Sequence, residues 1–381
     1  MKASTLLALT ASALALPGIA PVAHADAPPA ESTIGYRIST YEEDDLPKSA
    51  LLSGSLERYD ITVNQLQWVT PIGGNYSVSL RGSHESMSGA SPWYTLATPA
   101  RVAVVMSGAT ISEDRTDINA SGRRYLDNGT VGLSVGYSDE NDYESLSGGL
   151  DAERHFNDNL TTLAGGFSFS SDDISPTDAD IARYRRVKDA SKQSRSVFVA
   201  VSQVLNQNSV IQTGLSYTHL SGYLTDPYKL YDVRPDSRSQ FAWTTAWRQF
   251  IPVANAALHA DYRFYHDDFG INSHTLELEW YQNFGDNWRV VPGLRYYTQS
   301  AADFFRPGNI ITTQPRSSDY RLSAYGAVSG GLKVQVDIDK FTLSLAGERY
   351  HSSDKFATWE GDSSPALVDF TRLSLGIDYR Y

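Results

Sequence analysis

The stretch ALHADYRFY sets His259, Asp261 and Arg263 at every second position, with Leu258, Ala260, Tyr262 and Phe264 between them. An imidazole, a carboxylate and a guanidinium spaced by two share one face of an extended chain. HTLELEW continues the theme, with Glu277 and Glu279 alternating with Leu276, Leu278 and Trp280. Arg295 belongs to the next such segment, and Asp378 and Arg380 to the last. Charges in this arrangement can do one of two things. Lining water, they screen solutes by size and sign. Packed together, they brace a narrow interior through cross-strand ion pairs.

Three other groups of residues invite chemistry. In THLSG, His219 and Ser221 lie two apart, which resembles the His-x-Ser arrangement of outer-membrane phospholipases. A hydrolase needs its base within hydrogen-bond reach of the nucleophile and a third group to orient that base. Gly222 follows Ser221 directly, where that family has Asn before the Gly, so His219 is expected to be a polar side chain near a rim. His266, Asp267, Asp268 and His274 flank one short loop, and Glu42 to Asp45 and Asp172-Asp173 are further acids that could hold a hard cation. None has a full ligand spacing, so solvated loops, or acids sharing divalent ions with lipopolysaccharide, are expected instead of a metal centre. No cofactor is expected. In PTDADIARYRRVKDASKQ, Thr177 and Asp180 form a capping box, acids come first, and Arg183, Arg185, Arg186 and Lys188 come late. This reads as a short helix in a long connection, either folded into a mouth as a constriction or lying solvated on the surface.

The elements that carry these residues follow from periodicity. Alternation recurs in TVGLSVGYS, ALHADYRFY, HTLELEW and FTLSLAG, and the repetition is the signal. MKASTLLALTASALALPGIAPVAHA has Lys2, an apolar run from Leu6 to Leu16 and Ala23-His24-Ala25, the layout of a signal peptide over residues 1–25. Beyond it no apolar run approaches the ~18 residues of a spanning helix. Yet 23 Tyr, 7 Trp and 14 Phe sit on a background of negative mean hydropathy, which suits strands with one face in lipid and the other in water. Cysteine is absent, excluding disulfides, Cys-ligated zinc and C-x-x-C-H haem attachment. Thirty-two Lys and Arg against 44 Asp and Glu make a poor nucleic-acid binder.

Turns complete the architecture. Short connections at Gly73-Gly74-Asn75, Asp127-Asn128-Gly129, Asn157-Asp158-Asn159, Asn206-Gln207-Asn208, Pro252 to Asn255, Gly285-Asp286-Asn287 and Asp337 to Lys340 alternate with longer ones such as GASPWYTLATPARV, SDEND and YLTDPYKLYDVRPDS. Seven hairpins, an opening strand in Ser32 to Tyr41 and a closing one in Ala366 to Tyr381 predict a transmembrane antiparallel β-barrel of about sixteen strands, with short periplasmic turns and longer outer loops. Ala100 to Ser107 is either a further strand or loop. SLGIDYRY resembles the C-terminal assembly signal of outer-membrane proteins, with Ser374, Gly376, Tyr379 and Tyr381 in its positions. The partners it implies are outer-membrane lipid, lipopolysaccharide and the barrel-assembly machinery.

The stretches LSGYLTDPYKLYDVRPDSR, HDDFGINSHTLELEWYQ and GLRYYTQSAADFF, with VGYSDENDYES, resemble a family of exported bacterial proteins classed as a domain of unknown function, over nearly the whole mature chain. That resemblance assigns no residue a role. It implies an envelope redox or metal context, because such proteins are often encoded near flavin transferases and small lipoproteins. From the charged lumen and the strand count, the expected function is non-enzymatic: a pore or conduit for small polar solutes or ions. The alternative is an envelope partner barrel associated with a small lipoprotein or a redox or metal-handling system.

Overall fold

A computed structural model describes residues 27–109, 111–177, 187–308 and 311–381. The predicted signal peptide and the cations Arg183, Arg185 and Arg186 lie outside the described residues.

Among the described residues nineteen strands follow one another. The first seven are β1 (Thr33–Glu43), β2 (Leu51–Ser53), β3 (Asp60–Ile72), β4 (Tyr76–Gly89), β5 (Pro92–Ala97), β6 (Val102–Met106) and β7 (Ile111–Leu126). Then come β8 (Gly129–Glu140), β9 (Tyr143–Phe156), β10 (Thr161–Ile174), β11 (Ala190–Asn206), β12 (Ser209–Gly222) and β13 (Ser237–Ile251). The last are β14 (Ala256–Asp267), β15 (Asn272–Phe284), β16 (Trp288–Gln299), β17 (Tyr325–Ile338), β18 (Phe341–Ser353) and β19 (Phe370–Arg380). Sixteen of them form one closed antiparallel barrel, and β2, β6 and β5 form a separate small sheet. The segment 100–107 thus contributes a strand, but outside the barrel wall.

Closure is made at the seam of β1 and β19, which pair from Thr33 opposite Arg380 to Glu43 opposite Phe370. Ser32 and Tyr381 extend it by exchanging both backbone hydrogen bonds, at 3.0 and 2.9 Å. The Trp68 indole N–H also donates to the Tyr381 hydroxyl at 3.1 Å. A closed ladder leaves no edge N–H or C=O without a partner in hydrocarbon, where each would cost several kcal/mol.

Alternation sets the two faces of the wall. On β8, Val131, Leu133, Val135 and Tyr137 point outward and are exposed, while Thr130 and Ser138 are buried on the inner face. On β19 the outward residues are Leu373, Leu375 and Ile377, ending in Tyr379 and Tyr381. Small and polar residues line the interior and an apolar belt wraps the outside.

The seven short connections all join hairpins at one end of the barrel. Asn157, Asp158 and Asn159 each adopt positive φ, near 54°, 53° and 65°, a conformation that Asn and Asp tolerate better than most residues. The other end carries the longer loops, with one correction. SDEND is not a loop, because β8 and β9 run into it and leave only Asn141 and Asp142 at the tip. Asp139 and Glu140 sit on paired strands, so ladder pairing overrode the loop-like composition.

The lumen and its cap as candidate functional site

Inward positions on neighbouring strands bring the charged residues of the sequence into one interior. Cross-strand register sets His259 opposite Glu279, Asp261 opposite Glu277, and Glu277 opposite Arg295. Arg263, Glu277, Glu279 and Arg295 line a lumen cavity of about 630 Å³, together with Lys333, Glu348 and Arg372. The others sit outside its lining. His259 stacks against Tyr281 with centroids 4.1 Å apart, and Asp261 accepts from Arg248 Nη2 at 2.8 Å. Arg380 lies at the short-turn end, 3.8 Å from Asp337. Asp378 leans over Gly35, where an added Cβ would meet its Oδ1 at 2.2 Å.

Some of these charges are braced and others are not. Arg372 donates to Glu348 at 2.6 Å, and Tyr281 donates to Glu279 at 2.9 Å. Arg295 faces Glu277 across the ladder without an ion pair, and its Nε is buried with no partner among the described residues. Arg263 rests 5.3 Å from the centroid of Tyr265.

Loops close the long-loop end of this cavity, and sequence reasoning did not foresee which. Residues 44–59, 90–109, 223–236, 300–308 with 311–324, and 354–369 interlock there. Lys229 Nζ donates to the Pro92 carbonyl at 2.8 Å, the Thr95 amide to Ser318 Oγ at 3.1 Å, and Arg58 Nη1 to the Ala366 carbonyl at 3.2 Å. Apolar contacts hold the same loops to the inner wall and to one another. Tyr228 packs with Tyr41, Ile61, Val63 and Met87 of the wall, and Tyr320 with Leu46, Met106 and Val368 of the other loops.

At the centre of the cap is Asp319. It accepts from Arg234 at 2.8 Å and from Arg321, and Lys229 lies 3.9 Å away. Arg321 reaches on to Asp226 at 2.7 Å, and Arg234 to Asp232 at 2.8 Å. Three cations thus meet three carboxylates, all shielded from solvent, which is how buried charge is tolerated. Burial by itself would push the Asp319 carboxyl up, but Arg321, Lys229 and Arg234 outweigh it and hold the group far below the usual carboxylate range. Burial drives Lys229 down, with Asp319 opposing, and drives Asp232 up, with Arg234 opposing. Arg321 also lines a second cavity of about 200 Å³ beside Tyr143 and Tyr228, so it stands in the partition between the two.

The sequence hinted at these loops through YLTDPYKLYDVRPDS and ADFFRPGNIITTQPR, which are rich in Asp, Arg and aromatic residues. Their pairing across about 85 residues of chain left no local trace. Of the helix expected to constrict the mouth, Arg183, Arg185 and Arg186 lie outside the described residues, and Lys188 is exposed just ahead of β11.

Other candidate groups do not assemble. His219 Nδ1 contacts Ser239 Oγ at 3.2 Å across the ladder, not Ser221, and Tyr217 donates to the same Ser239 oxygen. Asp267 is occupied by Arg238, by Tyr265 and by the amides of Phe269 and Ile271, so it caps its own loop. His274 stacks on Trp359 and His266 contacts Asn272. Asp172 accepts from Ser145 and pairs with Lys192. Among the described residues no group of three or more His, Cys, Asp or Glu side chains is placed to hold a metal ion.

Comparison with solved structures gives outer-membrane barrels. The chain is similar to CdiB from Acinetobacter baumannii, at 9% identity and a TM-score of 0.53, over 92% of this chain and 60% of that one. It is also similar to the siderophore receptor PirA from Pseudomonas aeruginosa, at 10% identity and 0.46, over 92% of this chain and 62% of the receptor. A BenF-like porin from Pseudomonas fluorescens matches at 9% and 0.47, over 92% of this chain and 98% of the porin. The chain therefore spans about three fifths of the length of the first two, and the likeness is one of fold. No curated protein matches its sequence. The family model described as "Protein of unknown function (DUF3570)" matches residues 6–364, and the chain belongs to that family.

Proposed function

We propose that this barrel is a non-enzymatic conduit of the outer membrane, carrying small polar solutes or ions through a charged lumen. The observation that supports it is the cavity of about 630 Å³ inside a sixteen-stranded wall, lined by five cationic and three acidic side chains. Barrels of this strand number enclose a channel when nothing fills them. Here the cap forms the outer wall of the cavity, so passage requires the cap to move. The apolar outer belt and the aromatic residues of β19 fit lipid contact, with lipopolysaccharide around the long-loop end and the assembly machinery reading Ser374, Gly376, Tyr379 and Tyr381.

A second reading draws on the cap itself. A barrel whose loops interlock over its mouth could instead serve as an envelope partner that presents those loops to a small lipoprotein of a redox or metal-handling system. Planar-bilayer recording separates the two. Discrete open steps that vanish with heat-unfolded protein support the conduit. A silent barrel that co-purifies with a lipoprotein overturns it in favour of the partner.

A further inference from the structure

Beneath the cap, five successive strands in the order of the wall each place one aromatic ring on the cavity lining. These are Tyr297 on β16, Tyr325 on β17, Tyr350 on β18, Phe370 on β19 and Tyr41 on β1. Tyr297 and Tyr325 have centroids 5.7 Å apart, Tyr350 and Phe370 are stacked at 4.6 Å, and Phe370 and Tyr41 are 4.7 Å apart. Five rings on successive strands of the inner face make a band.

Beside that band stand Arg263 and Arg295. Neither forms an ion pair with a described residue, and the Arg295 Nε is buried without a hydrogen-bond partner. The acids of the same cavity do not neutralise them. Glu348 is paired with Arg372, which leaves the two carboxylates of Glu277 and Glu279 against the three cations Arg263, Arg295 and Lys333. The cavity is thus locally cationic inside a chain whose net charge is −12.

From this juxtaposition we infer that the lumen holds a binding site for a small carboxylate that carries a flat ring, its carboxylate against Arg263 and Arg295 and its ring against the aromatic band. A guanidinium presents parallel N–H donors that match a carboxylate. An aromatic band offers offset-stacked or edge contacts to a planar group. A volume of about 630 Å³ falls in the range of pockets for small molecules. The inference deepens the conduit reading by naming a solute class, and rests on that reading for passage though not for binding.

The test is isothermal titration of the purified barrel in detergent with benzoate, alongside acetate and inorganic phosphate, with bilayer recording on the same preparation. Benzoate is expected to bind at least tenfold more tightly than either comparison ion. The double variant Arg263→Gln, Arg295→Gln is expected to lose at least tenfold of that affinity while keeping the heat-dependent gel shift of a folded barrel. Phe370→Leu is expected to weaken benzoate and leave phosphate unchanged. Equal binding of phosphate and benzoate, or no effect of the arginine changes, overturns the site. Benzoate binding by an electrically silent barrel keeps the site and removes the conduit. Open steps without benzoate binding do the reverse.

Discussion

Arg234 donates from Nη2 to Asp319 at 2.8 Å, joining the loop between β12 and β13 to the loop between β16 and β17. Neither loop alone could bury its charges. Together they form a network over the lumen in which each carboxylate has a cation and each cation a carboxylate, and the mouth is covered as a consequence.

Asp319→Asn should therefore loosen the cap. Removing one carboxylate from the buried network leaves three cations against the two carboxylates of Asp226 and Asp232, one buried charge uncompensated at roughly 3–5 kcal/mol. Three cations would be left around a neutral amide. If the conduit reading holds, open probability in bilayers should rise about a hundredfold or more, because ~1.4 kcal/mol is a factor of ten. Unchanged gating together with unchanged protease resistance of residues 223–236 would show that the network does not hold the cap.

The pH response follows from the same residue. Asp319 is held below its ordinary value, so its contribution is fully present above 3.8 and is lost only as pH falls through the lowered value. Asp232 is raised by burial, so its contribution has the opposite sign: present below the ordinary carboxylate value and lost as pH rises through the folded value. Mild acidification thus removes a cost at Asp232 without touching Asp319. Conductance should stay at its neutral level down to about pH 5 and rise only under strong acid. A rise near pH 6 would place the gate elsewhere.

Tyr228→Phe isolates one anchor of the cap. The Tyr228 hydroxyl donates to Asp142 at the tip between β8 and β9. A hydrogen bond to a charged group contributes about 1.5–3 kcal/mol. Limited proteolysis within residues 223–236 should accelerate by about tenfold to a hundredfold if cleavage follows the open population. The barrel itself should keep its gel shift, since only the loop is released.

Leu375→Pro tests closure. Leu375 pairs with Ile38 on one side and with Leu345 on the other, in the middle of the seam strand. Proline removes its N–H from the ladder, and an unpaired carbonyl in hydrocarbon costs several kcal/mol. Loss of the heat-modifiable band is expected, whereas Leu375→Val on the same outward face should retain it.

The wall of this protein was legible in its sequence because strand pairing obeys a local rule. A period of two tells every residue which face it joins, so Val131 to Tyr137 and Leu258 to Phe264 declared their outward side unaided. The Asn, Asp and Gly turns fixed the hairpins, and hydrocarbon left closure as the sole way to satisfy the backbone. That much follows from residues within a dozen positions of one another. The cap and the cavity beneath it do not. Asp319 meets Arg234 across 85 positions, and Tyr41 meets Phe370 across the whole length of the wall. Neither loop has a repeating pattern that would announce its partner. Which charges are braced and which stand free was decided by how five irregular loops pack into one mouth, a property of their combined shape in space that no single stretch of chain encodes.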